Sequence, residues 1–403
     1  MSSQIKVRCI GILTSGGDCP GLNAAIRSIT KAAMGDYGMR VTGILDGFRG
    51  LVENRTVPLD DAAVSGILTR GGTILGTSRD KPQKMPMGGQ SLDMTAAAVQ
   101  NARSLEMDCV VCLGGGGTQR NALRLARKGL PVLTMPKTID NDVVHTDVSF
   151  GFDTAMGIAT EAIDRLHTTA TSHHRIIVCE IMGHRTGWLT LGAGIAGGAD
   201  VILIPEIPYD LKRVAQYVLE RRRSGKRFSI VAVAEGARSR EEVAAAEEAV
   251  KRRGKGGRKS SKRAGARAAV DEELWKDETR DALPLVVRRS RNGVTAYHVV
   301  QEPMASRIAR QIQELTGIEA RVTSLGHVQR GGSPSAFDRM LCTLLGAKAA
   351  ELLAEGRCNV MVAYQGGRCV PVPLEKVAGF RKVVPGDHPM IVSARRVGTC
   401  FGD

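Results

Sequence analysis

Aromatic side chains are scarce: Phe, Trp and Tyr make up 3% of the 403 residues. Cores must then be filled by Val, Ile, Leu and Ala. The 47 glycines point to many tight strand-to-helix turns, so composition favours α/β architecture, and the length suits two domains better than one core. No apolar run reaches the roughly 20 residues that span a bilayer. The start, Met1-Ser2-Ser3-Gln4-Ile5-Lys6, lacks a signal-peptide pattern, and a cytoplasmic location is expected. No G-x-x-x-x-G-K-[ST] stretch occurs, which gives no support to a P-loop enzyme. The nine cysteines, an odd number scattered from Cys9 to Cys400, read as reduced structural thiols rather than a disulfide framework. Cys109 and Cys112 have no second pair at zinc-finger spacing and are expected to pack in a strand. His173, His174, His298 and His388 show no metal-ligand spacing and read as surface or capping residues.

Acidic residues are in deficit, giving a formal charge of +15, but the excess is local. Residues 251–267 hold nine basic side chains and no acidic one. Such a tract carries too little apolar surface to offset its ordering entropy, and a disordered loop is expected. It also lacks interleaved aromatics for base stacking, so nucleic-acid contact is left open through this tract alone. The composition of about 237–297 departs from its surroundings and reads as an inserted basic excursion, expected to be disordered.

What is present is a series of glycine-rich turns at strand ends. Ile5–Leu13 reads as a strand, Ser15-Gly16-Gly17-Asp18-Cys19-Pro20-Gly21 as a turn and Leu22–Met34 as a helix; backbone N–H groups ahead of a helix are a physical basis for phosphate binding. A second glycine-rich loop carries Arg70 and Arg79. The apolar strand Asp108–Leu113 ends in Gly114-Gly115-Gly116-Gly117-Thr118, followed by a helix from Arg120. Four glycines exceed what a helix cap needs, so something large is expected to approach the backbone here. Residues 131–135 form a further short strand. After it come Pro136-Lys137-Thr138-Ile139-Asp140-Asn141-Asp142, two carboxylates, a hydroxyl and a cation at a strand's carboxyl end, where open α/β sheets gather ligands. Gly192-Ala193-Gly194-Ile195-Ala196-Gly197 matches G-x-G-x-x-G, but it lies within a small-residue helical run, and close packing explains it better than dinucleotide binding. Farther on, Phe228–Ala234 is a strand ending at Glu235-Gly236, and Arg321–Leu325 leads to Gly326-His327-Val328-Gln329-Arg330-Gly331-Gly332-Ser333-Pro334.

Leu13–Asp18, Pro136–Asp142, Met182-Gly183, Ala234–Gly236 and Gly326-His327 through Pro334 occur in this order in the phosphofructokinase family, which the chain resembles over nearly its whole length apart from the insertion. The resemblance implies an α/β fold of two Rossmann-like three-layer domains with mostly parallel sheets and an active site in the cleft between them. It divides the chain into a phosphoryl-donor domain, 1–152 with about 329–380, and a fructose-6-phosphate domain, 153–328 with about 381–403. It implies transfer from ATP to the 1-hydroxyl of fructose 6-phosphate by a homo-oligomer, dimer or tetramer. Asp140 would be the general base, with Thr138 and Asp142 positioning the reacting groups. Gly16, Arg79, Gly114, Gly115, Gly116, Gly117, Thr118 and Lys137 would hold the donor. Met182, Gly183, His184, Glu235, His327 and Arg330 would hold the sugar phosphate, with Arg175 and Arg321 reaching its 6-phosphate across a subunit interface through forked hydrogen bonds.

Three departures from the family pattern matter. Gly116 stands where a magnesium-binding Asp is common, leaving Asp140 and Asp142 to hold Mg²⁺. His184 stands where many members have an arginine. Gly117 goes with ATP, whereas Lys137 also occurs in pyrophosphate-using members, so a pyrophosphate-dependent enzyme is the alternative. A non-catalytic regulatory subunit is the third reading, suggested by Gly116 and His184.

Overall fold

The computed structural model describes residues 7–254, 285–290, 293–298 and 302–403. From residue 255 onward the basic tract 251–267 lies outside the described residues. The strands in chain order are β1 (Cys9–Thr14), β2 (Arg40–Ile44), β3 (Thr56–Pro58), β4 (Met85–Met87), β5 (Gln90–Leu92), β6 (Cys109–Gly114), β7 (Val132–Pro136), β8 (Ile176–Ile181), β9 (Val201–Leu203), β10 (Ser229–Ala234), β11 (Leu285–Ser290), β12 (Gly293–His298), β13 (Ala320–Ser324), β14 (Val360–Gln365) and β15 (Arg368–Pro373). They fall into two compact units: 1–159 with 326–384, and 160–325 with 385–403. The chain passes from the first to the second within the helix Phe152–His173.

The first unit is built on a seven-stranded sheet of order β15-β14-β7-β6-β1-β2-β3. Its five inner strands run parallel, and β15 and β3 close the edges antiparallel. β1 is buried at every position, as are β6 and β7, which is why they read as unbroken apolar runs rather than alternating ones. Leu13, Ile44, Phe48, Leu51, Met107, Val110, Leu125 and Val132 form one core cluster of this unit. From β1 the chain crosses to β2 on one side and later to β6 on the other, so the strand order reverses between β1 and β6. The turns after these two strands flank that switch point, the place where such sheets bind ligands.

The second unit holds a parallel four-stranded sheet, β13-β8-β10-β9. Its core includes Ile176, Val178, Leu203, Tyr209, Val231, Val233, Ile308 and Ile312. The glycines of the tempting dinucleotide pattern lie in and just after the helix Trp188–Ala196. A Cβ on Gly194 would come within 2.8 Å of Ile202 and one on Gly197 within 2.7 Å of Ile163, so these glycines serve close packing. The region read as an insertion begins in order: Ser239 and Glu242 cap the helix Arg240–Gly254 reciprocally, Ser239 N–H donating to Glu242 at 2.7 Å and Glu242 N–H to Ser239 Oγ at 3.2 Å. This is the Ser-x-x-Glu capping box, legible in the residues themselves. β11 and β12 pair antiparallel as a separate ribbon.

No helix among the described residues is long and apolar enough to cross a membrane. Cys109 and Cys112 are both fully buried in β6. His388 caps the helix Pro389–Arg396, accepting from Met390 N–H at 3.3 Å, and His173 and His174 are exposed.

Candidate functional site

In the first unit three segments meet at the switch point. After β1 the chain turns through Gly16, whose φ of 89° lies in the left-handed region that glycine adopts without steric cost. Backbone bonds tie this turn to its neighbours: Ser15 N–H donates to Leu113 O at 3.0 Å and Gly16 N–H to Ser78 O at 2.9 Å. Thr77 Oγ1 donates to Gly16 O at 2.8 Å. Arg79, next to Ser78, is exposed.

The second segment is the glycine run after β6. Its structure differs from a loop preceding a helix at Arg120: the helix starts at Gly116 and runs to Arg127. Glycine's poor helix propensity hides this start in the sequence. A Cβ on Gly114 would lie 2.1 Å from Thr118 Oγ1, so packing excludes a side chain there, whereas a Cβ on Gly116 or Gly117 would meet nothing within 4 Å. The protein's own packing therefore does not explain the last two glycines. They leave the N–H groups of a helix's first turn open to an approaching group, the standard geometry for an anion. Thr118 is buried, its hydroxyl donating to Ser15 O at 3.3 Å, which links this run to the β1 turn.

The third segment, 137–151, joins β7 to the helix Phe152–His173 and carries the candidate catalytic groups. Lys137 is buried, 4% exposed, and its ammonium donates to the backbone carbonyl of Gly17. Burial pushes its pKa below the ordinary 10.5; the charges of Asp140 and Asp18 raise it, and that of Arg330 lowers it further. Thr138 Oγ1 accepts from Asp140 N–H at 3.1 Å, while Ser149 Oγ donates to Thr138 O at 2.7 Å. Asn141 takes a φ of 51°, and its side-chain oxygen accepts from Ser149 N–H at 3.1 Å. Asp142 is held by burial above its ordinary carboxylate range, opposed first by Arg381, whose Nε lies 4.0 Å from the carboxylate. Arg381 and its neighbour Lys382 drew no notice in the sequence; basic residues near a chain's end carry no local signal of a contact some 240 positions away.

Arg330 belongs to this unit as well. Its Nη1 lies 2.1 Å from where a Cβ on Gly17 would sit, so Gly17 must lack a side chain for the guanidinium to rest on the β1 turn. The structure thus brings Arg330 to the turn after β1, whereas the other residues expected at the sugar phosphate, except His327, lie in the second unit. His327 is exposed on the short 3₁₀ turn Gly326–Arg330.

In the second unit, Met182, Gly183 and His184 follow β8, and Glu235 follows β10, its neighbour in the sheet. The Glu235 carboxylate accepts from Gly183 N–H at 3.3 Å and His184 N–H at 2.7 Å, fixing a turn in which His184 takes a φ of 50°. Arg175 Nε donates to Glu319 at 2.6 Å, and Arg321 pairs with the other oxygen of the same carboxylate. One acidic side chain therefore holds together Arg175, just before β8, and Arg321 on the adjacent strand β13. No cluster of three or more His, Cys, Asp or Glu side chains with metal-binding geometry occurs among the described residues.

Comparison with known proteins shows the family. A phosphofructokinase family model matches residues 9–353. The chain is 52% identical to the ATP-dependent 6-phosphofructokinase of Propionibacterium freudenreichii subsp. shermanii, covering 98% of this chain and 99% of that one. It is 43% identical to the pyrophosphate–fructose 6-phosphate 1-phosphotransferase of Streptomyces coelicolor, over 98% and 99% of the two chains. Among solved structures, Pichia pastoris phosphofructokinase in the T-state aligns with a TM-score of 0.70 at 29% identity; the match covers 92% of this chain but 35% of that longer one. The chain belongs to the phosphofructokinase family.

Proposed function

We propose that this protein transfers the terminal phosphoryl group of ATP to the 1-hydroxyl of fructose 6-phosphate, giving fructose 1,6-bisphosphate and ADP. The observation that carries this reading is the unobstructed helix start at Gly116 and Gly117, set at the same sheet end as Lys137 and the Thr138–Asp142 segment. Open N–H groups and a buried ammonium suit a polyphosphate, and the absence of a carboxylate at position 117 leaves room for a nucleotide's extra phosphate. Relatives named ATP-dependent 6-phosphofructokinase, at 52% and 49% identity, support the same donor.

In this reading Gly16, Arg79, Gly114–Thr118 and Lys137 hold the donor. Asp140 takes the proton from the 1-hydroxyl as its oxygen attacks the terminal phosphorus, and Thr138 and Asp142 keep that carboxylate in place. Catalysis by such a site is mostly positioning and charge neutralisation. Met182, Gly183, His184, Glu235 and His327 hold the sugar phosphate, Arg175 and Arg321 take its 6-phosphate from a neighbouring subunit of a homo-oligomer, and Arg330 serves the phosphate-rich region from beside Gly17. Asp140 and Asp142 fit magnesium, which keeps several waters and needs only one or two carboxylates beside the substrate's own oxygens. When bound it neutralises charge on the phosphate oxygens.

A second reading has its own support. Lys137 and the Streptomyces coelicolor relative favour pyrophosphate as donor to the same hydroxyl. Incubation of the purified protein with ATP, Mg²⁺ and fructose 6-phosphate tests the first reading: stoichiometric fructose 1,6-bisphosphate and ADP are expected, and no ADP alongside turnover with pyrophosphate would replace ATP by the second donor.

A further inference from the structure

The segment 137–151 carries the proposed base yet has no regular secondary structure, so its shape depends on bonds from elsewhere. Tyr364, Gln365 and Gly366 bond to residues 145–147, but three bonds converge on one side chain that also reaches Asn141. The ammonium of Lys382 donates to Asn141 Oδ1 at 2.8 Å and to the carbonyl oxygens of Thr146 and Asp147, each at 2.9 Å. Its backbone N–H donates to Asp142 O at 2.8 Å. One residue therefore grips the middle of the segment on either side of the left-handed turn at His145, whose φ is 61°. A lysine can make these three side-chain bonds because its ammonium has three donors and no acceptor.

The grip reaches the chemistry through Asn141. That side-chain oxygen accepts from both Lys382 and Ser149, and Ser149 in turn donates to Thr138 O, while Thr138 Oγ1 accepts from Asp140 N–H. Lys382, Asn141, Ser149 and Thr138 form a continuous set of bonds ending at the amide of Asp140. Arg381, the preceding residue, faces the Asp142 carboxylate. Hydrogen bonds to charged groups are the stronger ones, and three of them, two on partly buried groups, are well placed to hold an otherwise irregular segment.

We infer that Lys382 is a positioning residue: it fixes the Thr138–Asp142 carboxylates from the C-terminal part of the chain without touching the reacting atoms. This rests on the proposed role of Asp140, but part of its test does not. Lys382→Met removes the three donors while keeping the apolar stem. The expected result is a fall in kcat of about 10²-fold, the scale of a small misplacement of a catalytic group, with KM for fructose 6-phosphate within about threefold because the sugar's binding groups are untouched. Amide hydrogen exchange of 138–149 should speed up in the same variant, a readout that needs no turnover. Asn141→Gly, which tolerates the positive φ and removes the shared acceptor, should reproduce both effects, and the double variant should lose little more than either single one. If Lys382→Met does not accumulate as folded protein, Asn141→Gly carries the same measurements. Parent-like kcat and unchanged exchange in 138–149, a loss confined to KM, or independent multiplicative losses in the double variant would each overturn the inference. Faster exchange in a protein whose parent lacks activity with ATP and pyrophosphate would instead sustain the positioning and sink the proposed reaction.

Discussion

The buried ammonium of Lys137 donates to the backbone carbonyl of Gly17, joining the segment after β7 to the turn after β1. Burial disfavours its charged form, so the ammonium costs stability where it sits. Lys137→Met is therefore expected to leave Tm unchanged or raise it, while lowering kcat/KM for the donor by about 10–100-fold, the range for losing a hydrogen bond to a charged group. Thermal melts and donor titrations on the same preparation check both halves. A fall in Tm with intact donor kinetics would make Lys137 a structural residue.

Gly117 offers a cleaner substitution than most glycines. A Cβ there meets nothing, so Gly117→Asp should fold normally, and any kinetic loss belongs to the donor. The added carboxylate repels the nucleotide's extra phosphate, and kcat/KM for ATP should fall by at least about 10-fold while that for pyrophosphate falls less. Equal losses with both donors would contradict this.

Glu235 accepts two backbone N–H bonds from the turn after β8. Glu235→Ala removes both acceptors and is expected to raise KM for fructose 6-phosphate several-fold, with donor KM unchanged. Steady-state kinetics with each substrate varied in turn decides this.

The thiols differ in their response to pH. A hydrogen bond with Cys109 holds the Cys358 thiol below its ordinary 9.0, whereas burial pushes Cys369 up and Cys19 up to about 12. Alkylation follows the thiolate. As pH rises from neutrality, Cys358 should react first and Cys369 later, with Cys19 protected until the protein unfolds. Peptide mass spectrometry after brief alkylation at stepped pH values reads the order, and prior labelling of Cys19 would contradict it.

Much of the site was legible because its chemistry is local. Gly114–Thr118 and Thr138–Asp142 are contiguous, lie directly after apolar strands and announce themselves by residue type. Glu235 is the first residue after a buried strand. What escaped depends on contacts distant in sequence. Lys382 and Arg381 act on residues near 140; Asp338 accepts from Gly151 and Thr154 N–H, each at 2.9 Å, at the start of the helix Phe152–His173. The helix start at Gly116 was hidden because glycine disfavours helices, and β15, with two prolines in six residues, sits antiparallel at a sheet edge where missing N–H donors are tolerated. The placing of Arg330 against Gly17 depended on side-chain direction, which sequence order does not specify.

The most direct test of the central claim compares ATP and pyrophosphate as donors to fructose 6-phosphate in the purified parent protein and in Asp140→Ser, with Mg²⁺ present. The account predicts a higher kcat/KM with ATP in the parent and a kcat lowered by about 10²-fold or more in Asp140→Ser, with sugar binding little changed. A higher kcat/KM with pyrophosphate would contradict the donor assignment, and near-parent turnover in Asp140→Ser would remove Asp140 from the role of base.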